Sequence, residues 1–187
     1  MKSVEVKFGG FGGQGVILAG MVVGRAASIY DNKFATLTQS YGPEARGSSC
    51  SVQIIISDEP VLFPYVTRPE ILMVMSQEAC NKFLSEAADD AIVIIEEHFV
   101  RPGLVKSGMK VYTVPAAGMA QKLGRKMVFN IVMVGCFTAI TKILTFEAVR
   151  ESVKTSVPRG TEELNLKAFD SGYSYGQSMM RRKIPVL

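Results

Sequence analysis

Apolar residues fall along this chain in short runs of two kinds that alternate from one end to the other. Val4 to Phe8, Phe34 to Thr38, Ile71 to Met75, Ala91 to Glu96 and Lys110 to Val114 are brief stretches rich in β-branched and aromatic residues, the composition that a pleated strand favours. Ile71 to Met75 and Ala91 to Glu96 are apolar almost without interruption, as a parallel sheet covered on both faces requires. Ser49 to Ser57 alternates instead, with Val52, Ile54 and Ile56 on one face. Helical signals fill the gaps: Gln14 to Tyr30, Gln77 to Ala88, Ala116 to Leu123, Phe129 to Ile143 and Glu147 to Lys154. Asp58-Glu59-Pro60 marks a turn, and Val61 to Tyr65 is expected to return as the hairpin partner of the strand before it. Val157 to Thr161 reads as a linker, and Glu162 to Met180 as a terminal helix or arm.

The first helix is apolar nearly all round, so burial on more than one side is expected. Gly20 and Gly24 leave one stripe of it flat. Either that stripe packs tightly on the sheet, or a helix or strand of another subunit lies in it. The strand and helix alternation predicts an α/β fold: an open, mostly parallel sheet with a β-hairpin insertion and a C-terminal helical arm. A chain of 187 residues with 48% hydrophobic residues buries one good core, which predicts a single domain with a core over 1–156 and an arm over 157–187.

The chemistry starts between the first strand and the first helix. Gly10, Gly12 and Gly15 fit the G-x-G-x-x-G spacing, with Gly13 and Gln14 inside it. Glycines there permit a tight turn and close approach of phosphates, and the helix N-terminus behind them attracts an anion. The same glycines also serve if they only let the helix pack on the sheet. A nicotinamide dinucleotide site expects a ribose-binding carboxylate about 20 residues further on, at the end of the second strand. Phe34 to Thr38 runs into Gln39-Ser40-Tyr41 with no acid; Asp31 precedes the strand, and Glu44 is the first carboxylate after it.

Glu44 belongs to Tyr41-Gly42-Pro43-Glu44-Ala45-Arg46-Gly47. This segment and the glycine turn together resemble the gamma subunit of the 2-oxoacid:ferredoxin oxidoreductases, the 2-oxoglutarate enzyme above all. Ile56-Ser57-Asp58 with Pro60, then Asn130, Gly135, Asn165 and Ala168-Phe169, extend the resemblance over nearly the whole chain. Ser48 departs from it, standing where the family commonly has a second glycine. The resemblance implies a Rossmann-like fold and an assembly with alpha, beta and ferredoxin-like delta subunits. That assembly converts a 2-oxoacid, coenzyme A and oxidised ferredoxin into acyl-coenzyme A, carbon dioxide and reduced ferredoxin. Thiamine diphosphate, Mg2+ and 4Fe-4S clusters are then held by the partner subunits, and coenzyme A is a co-substrate. Gly10, Gly12, Gly13, Gln14 and Gly15 become the residues expected to meet it, while Tyr41, Glu44 and Arg46 are expected at a partner or active-centre wall. The residues alone leave Arg46 open between a carboxylate or phosphate fork and an internal ion pair.

Several classes are excluded or disfavoured. A net charge of +4 with scattered basic residues lacks the aromatic and basic interleaving of a nucleic-acid binder. Arg181-Arg182-Lys183 reads as a solvated tail. No apolar run is long enough to span a bilayer, no signal peptide precedes the first strand, and a cytoplasmic location is expected. Cys50, Cys80 and Cys136 are too dispersed for a cluster-ligand run. His98, the sole histidine, reads as exposed or capping, and the adjacent Glu96 and Glu97 point to opposite faces of a strand. Asn130 reads as the cap of an apolar helix. There is no Gly-Asp-Gly element of the kind that holds thiamine diphosphate metal, so the chain alone is expected to be catalytically silent. The alternatives are a free-standing NAD- or FAD-dependent oxidoreductase and a non-catalytic assembly subunit.

Overall fold

The computed structural model describes residues 3–42, 48–103 and 105–182, the side chain of Arg182 excepted. Six strands, β1 (Val4–Phe11), β2 (Phe34–Tyr41), β3 (Ser49–Ser57), β4 (Ile71–Val74), β5 (Ile92–Glu96) and β6 (Lys110–Val114), form one sheet in the order β2-β3-β1-β4-β5-β6. β1, β4, β5 and β6 pair in parallel. β3 is antiparallel to both β1 and β2, so it alone runs against the others. The sheet is mostly parallel, as the apolar runs predict.

The hairpin is made differently from the expectation. β3 takes β2 as its partner across an unbroken register from Phe34↔Ser57 to Tyr41↔Cys50, and residues 61–65 form no strand. Both edges of β3 are occupied, by β1 and β2, and Pro60 and Pro64 remove two ladder donors from the segment that would compete. The second strand therefore lies one strand away from β1 rather than beside it.

Helix α1 (Val16–Arg25) runs on into a wider π turn over Ala26–Tyr30. α2 (Gln77–Phe83) is shorter than its apolar pattern: the chain turns after Phe83, and the amide of Ala88 donates to the carbonyl of Pro69 at 3.0 Å. α3 (Ala116–Lys122), α4 (Phe129–Thr141), α5 (Phe146–Ser156) and α6 (Glu162–Arg182) follow. The sheet separates two cores. Met73 and Ile94 face the side of α1, α4 and α6 with Phe8, Phe137 and Phe169, whereas Leu72, Val74, Val93 and Ile95 face α2 with Phe83. Burying such side chains contributes ~1.5–3 kcal/mol each, and the two-sided burial explains why β4 and β5 carry no polar face.

Gly20 packs directly on the sheet, since a Cβ there would lie 2.4 Å from Val52 Cγ1. α6 is pressed against α4 with equal closeness. A Cβ on Gly172 would lie 2.1 Å from the carbonyl oxygen of Val132, so the two backbones touch where α6 crosses. α4 is buried from Phe129 to Ile140, which explains an apolar helix that spans no membrane. Among the described residues no helix is long and apolar enough to do so.

Candidate functional site

β1 is the point where the chain reverses its direction of growth across the sheet, first towards β3 and β2 and then towards β4, β5 and β6. In open α/β sheets a crevice opens beyond the carboxyl ends of the strands at such a switch. The glycine turn, residues 12–15, sits there. Gly13 (φ 95°) and Gly15 (φ 76°) are left-handed, a conformation that costs other residues energy.

Each residue of the turn has a distinct task. Gln14 is a clamp: its Oε1 accepts the Phe11 N–H at 2.7 Å and its Nε2 donates to the Met75 carbonyl at 2.9 Å, tying the end of β1 to the end of β4. Gly10 makes room for that clamp, because a Cβ would lie 2.6 Å from Gln14 Oε1. The Gly12 N–H donates to the Ser48 carbonyl at 2.9 Å, and the Gln14 N–H to the Phe11 carbonyl at 3.0 Å. Among the described residues the N–H groups of Gly13 and Gly15 meet no acceptor, and no heavy atom lies within 4 Å of where a Gly13 Cβ would be. Two unpaired N–H donors thus stand at the mouth of a helix, with open space beside Gly13 and the Asn130 amide packed beside Gly15, an arrangement suited to an anionic group.

The second sequence segment joins the first. Ser48, whose carbonyl holds Gly12, and Gly42, whose N–H donates to the Ser49 carbonyl at 2.8 Å, bracket residues 43–47. Pro43 to Gly47 lie outside the described residues, and with them Glu44 and Arg46. Tyr41 ends β2 with its ring 64% exposed, and its hydroxyl donates to Gln39 Oε1.

Asn130 is the residue that sequence reasoning placed wrongly. It does not cap α4, whose N-cap is Val128 without a side-chain bond. Instead, 3% exposed, it donates from Nδ2 to the carbonyl of Gly15 at 3.2 Å. A buried amide inside an otherwise apolar helix was the available signal, since such a group needs a partner. Glu96 is fully buried at the end of β5, and its carboxylate accepts the N–H groups of His98 (2.8 Å), Phe99 (2.9 Å) and Ala117 (3.0 Å). It holds the turn after β5 to the start of α3. His98 stands exposed beside it with Nδ1 3.3 Å from Glu96 Oε1. Asp31 accepts from the N–H and hydroxyl of Thr145.

Cys50, Cys80 and Cys136 are buried and free. Burial pushes all three thiols up, Cys136 to about 12, so none is a ready nucleophile. Among the described residues no three His, Cys, Asp or Glu side chains gather to hold a metal ion. A concavity of about 690 Å³ lies at the opposite end of β1 against Glu5, Ser57, Pro60, Leu62, Phe63 and Tyr65. It is at the amino end of β1, away from the carboxyl-end crevice where ligands bind in such sheets.

Residues 5–175 match the family model for pyruvate ferredoxin/flavodoxin oxidoreductase. The chain is 42% identical over 177 residues to the 2-oxoglutarate synthase subunit KorC of Methanocaldococcus jannaschii, covering 94% of this chain and 95% of that one. It superposes with a TM-score of 0.86 on the gamma subunit of the keto/oxoacid ferredoxin oxidoreductase of Geobacter sulfurreducens PCA, at 34% identity over 95% of this chain and 98% of that one. The fold also recurs within a longer chain of the 2-oxoglutarate:ferredoxin oxidoreductase of Magnetococcus marinus (TM-score 0.84, 17% identity, 95% of this chain and 32% of that one). A free-standing Rossmann dehydrogenase accounts for neither this kinship nor the strand interposed between β1 and β2. The chain belongs to the pyruvate ferredoxin/flavodoxin oxidoreductase family, and within it to the gamma subunits of the 2-oxoacid:ferredoxin oxidoreductases.

Proposed function

We propose that this gamma subunit works with alpha, beta and ferredoxin-like delta subunits to oxidise 2-oxoglutarate. The complex takes 2-oxoglutarate, coenzyme A and oxidised ferredoxin to succinyl-coenzyme A, carbon dioxide and reduced ferredoxin. Thiamine diphosphate with Mg2+, and the 4Fe-4S clusters, reside on the partner subunits and supply the electron sink and the electron path. The work of this chain is to bind and to enclose. Gly13 and Gly15 present N–H donors to the phosphates of coenzyme A, Gly10, Gly12 and Gln14 hold the turn in shape, and Tyr41, Glu44 and Arg46 line the wall of the active centre.

One observation carries the site: the Gly12 N–H bonded to the Ser48 carbonyl at 2.9 Å, which ties the anion-ready turn to the residue that follows the Tyr41 to Gly47 segment in sequence. The substrate rests on the near full-length kinship with a 2-oxoglutarate synthase subunit. Affinity capture of the tagged chain from an anaerobic extract, with coenzyme A-dependent dye reduction on 2-oxoglutarate, pyruvate and branched-chain oxoacids, tests both. Co-captured subunits with the highest kcat/KM on 2-oxoglutarate are the expected result. A preference for pyruvate overturns the substrate; a chain that recruits nothing and binds NAD tightly overturns the whole reading.

A further inference from the structure

β2 is the outermost strand on its side of the sheet. Long edge strands are usually blunted by lysine, proline or a bulge, because their free N–H and C=O groups template another strand. β2 has none of these: Phe34-Ala35-Thr36-Leu37-Thr38-Gln39-Ser40-Tyr41 carries no charge and no proline, and its register with β3 is unbroken.

A groove runs between this strand and α1, bordered by Met21, Gly24, Arg25, Ser28, Thr36 and Leu37. Gly24 keeps it open, since even a Cβ there would only just reach Leu37, at 3.6 Å. Arg25 Nε and Thr36 Oγ1 are both buried in it without a hydrogen-bond partner, and Arg25 forms no ion pair with any described residue. Buried polar groups are almost always satisfied. An arginine whose Nε lacks a partner matches a carboxylate, which Nε and one Nη grip in two parallel bonds. Met21 on α1 (42% exposed) and Ile29 in the π turn that follows it (54% exposed) are exposed apolar side chains.

We infer that β2 receives an extended segment of a partner subunit by strand addition, with an Asp or Glu of that segment seated on Arg25. The inference rests on the chain working as a subunit. A second copy of this chain is the poorer occupant, because β2 itself, Phe34 to Tyr41, carries no acid to offer Arg25. Strand addition supplies main-chain bonds along the edge, and the acid supplies the specificity.

Amide hydrogen exchange on the isolated chain and on the assembled complex reads the edge directly. The β2 amides that face away from β3 are expected to slow by at least ~10-fold on assembly, as exchange follows local opening. Arg25→Glu, in an isolated chain first verified as folded by circular dichroism and its unfolding midpoint, is expected to weaken assembly by ~10–100-fold, as for a reversed interfacial charge. In the complex with Arg25→Lys, a carbodiimide is expected to join position 25 to a carboxylate of the partner. A complex that forms with β2 exchanging as fast as in the isolated chain overturns the inference and leaves the subunit assignment standing. Protection of β2 in the isolated chain that grows with concentration overturns it in favour of a second copy. A chain that enters no complex overturns both.

Discussion

Asn130 and Gly15 are locked together across 115 positions of sequence: Nδ2 donates to the Gly15 carbonyl at 3.2 Å, and a Cβ on Gly15 would lie 2.3 Å from that same nitrogen. α4 therefore positions the glycine turn, and the turn tolerates no side chain where the two meet. Gly15→Ala adds a left-handed alanine, costing ~1–2 kcal/mol, to a collision of the overpacking kind, costing ~1–3 kcal/mol. Asn130→Ala removes the collision with the amide, leaving only its own Cβ at 3.3 Å, and one hydrogen bond worth ~1 kcal/mol. In urea unfolding, Gly15→Ala is expected to cost clearly less in the Asn130→Ala background than in the wild type. Equal costs in the two backgrounds would show that the contact does not limit position 15.

Gly13 differs from Gly15 in having open space where its side chain would be. Gly13→Ala carries only the left-handed penalty, ~1–2 kcal/mol, and places a methyl group in the proposed coenzyme A path. Gly160, at φ 83° with nothing within 4 Å, is the matched control far along the sequence. In the assembled enzyme, Gly13→Ala is expected to raise the KM for coenzyme A ~10-fold, equivalent to ~1.4 kcal/mol of binding, while coenzyme A-independent decarboxylation stays level. Gly160→Ala should match its loss of stability and leave that KM unchanged. A KM that moves equally in both variants would remove the turn from the binding site.

The parts of this fold that sequence reveals are those fixed by local rules. β4 and β5 announce themselves as unbroken apolar runs because both of their faces are covered, and the glycine turn does so because only glycine suits φ near 95° and 76°. The hairpin partner of β3 is not local. Two segments, 34–41 and 61–65, have compatible alternation, and the choice is made by which edge remains free once β1 has paired. Asn130 is misplaced for the same reason: its position near a helix start invites a cap, while its partner, Gly15, is adjacent only after α4 folds over α1. The site follows suit, for the two motifs are visible separately in sequence but their junction, Gly12 to Ser48, is a product of the sheet order.

Tyr41 tests the wall from the solvent side. Its ring is 64% exposed, so Tyr41→Ala is expected to change the stability of the isolated chain by no more than ~0.5 kcal/mol, the range of surface substitutions. In the complex, the same substitution and Arg46→Ala are expected to loosen assembly or lower kcat/KM ~10-fold, the loss of one buried aromatic or arginine contact. Size-exclusion chromatography and steady-state assays on the purified complex decide it. Unaltered assembly and activity in both variants would return these side chains to ordinary surface.

Cys136 gives the chain an alkaline limit. Buried in α4 with Sγ 3.0 Å from the Gly172 carbonyl, it has its thiol pushed up to about 12 by desolvation, from 9.0 when exposed. Between those values the unfolded chain has lost its proton and the folded chain still holds it. The folded state then binds more protons, so stability falls as pH rises through this window, by up to ~1.4 kcal/mol per pH unit. Below pH 9 the contribution is fully present. Cys136→Ala costs ~1 kcal/mol at neutral pH through the small cavity it leaves, yet it removes this titration. Between pH 8 and pH 10 the wild type is therefore expected to lose ~1.4 kcal/mol more than the variant in urea unfolding. Parallel losses over that range would mean that the thiolate is accommodated in the folded chain, and that the α4 and α6 contact opens more easily than its backbone spacing implies.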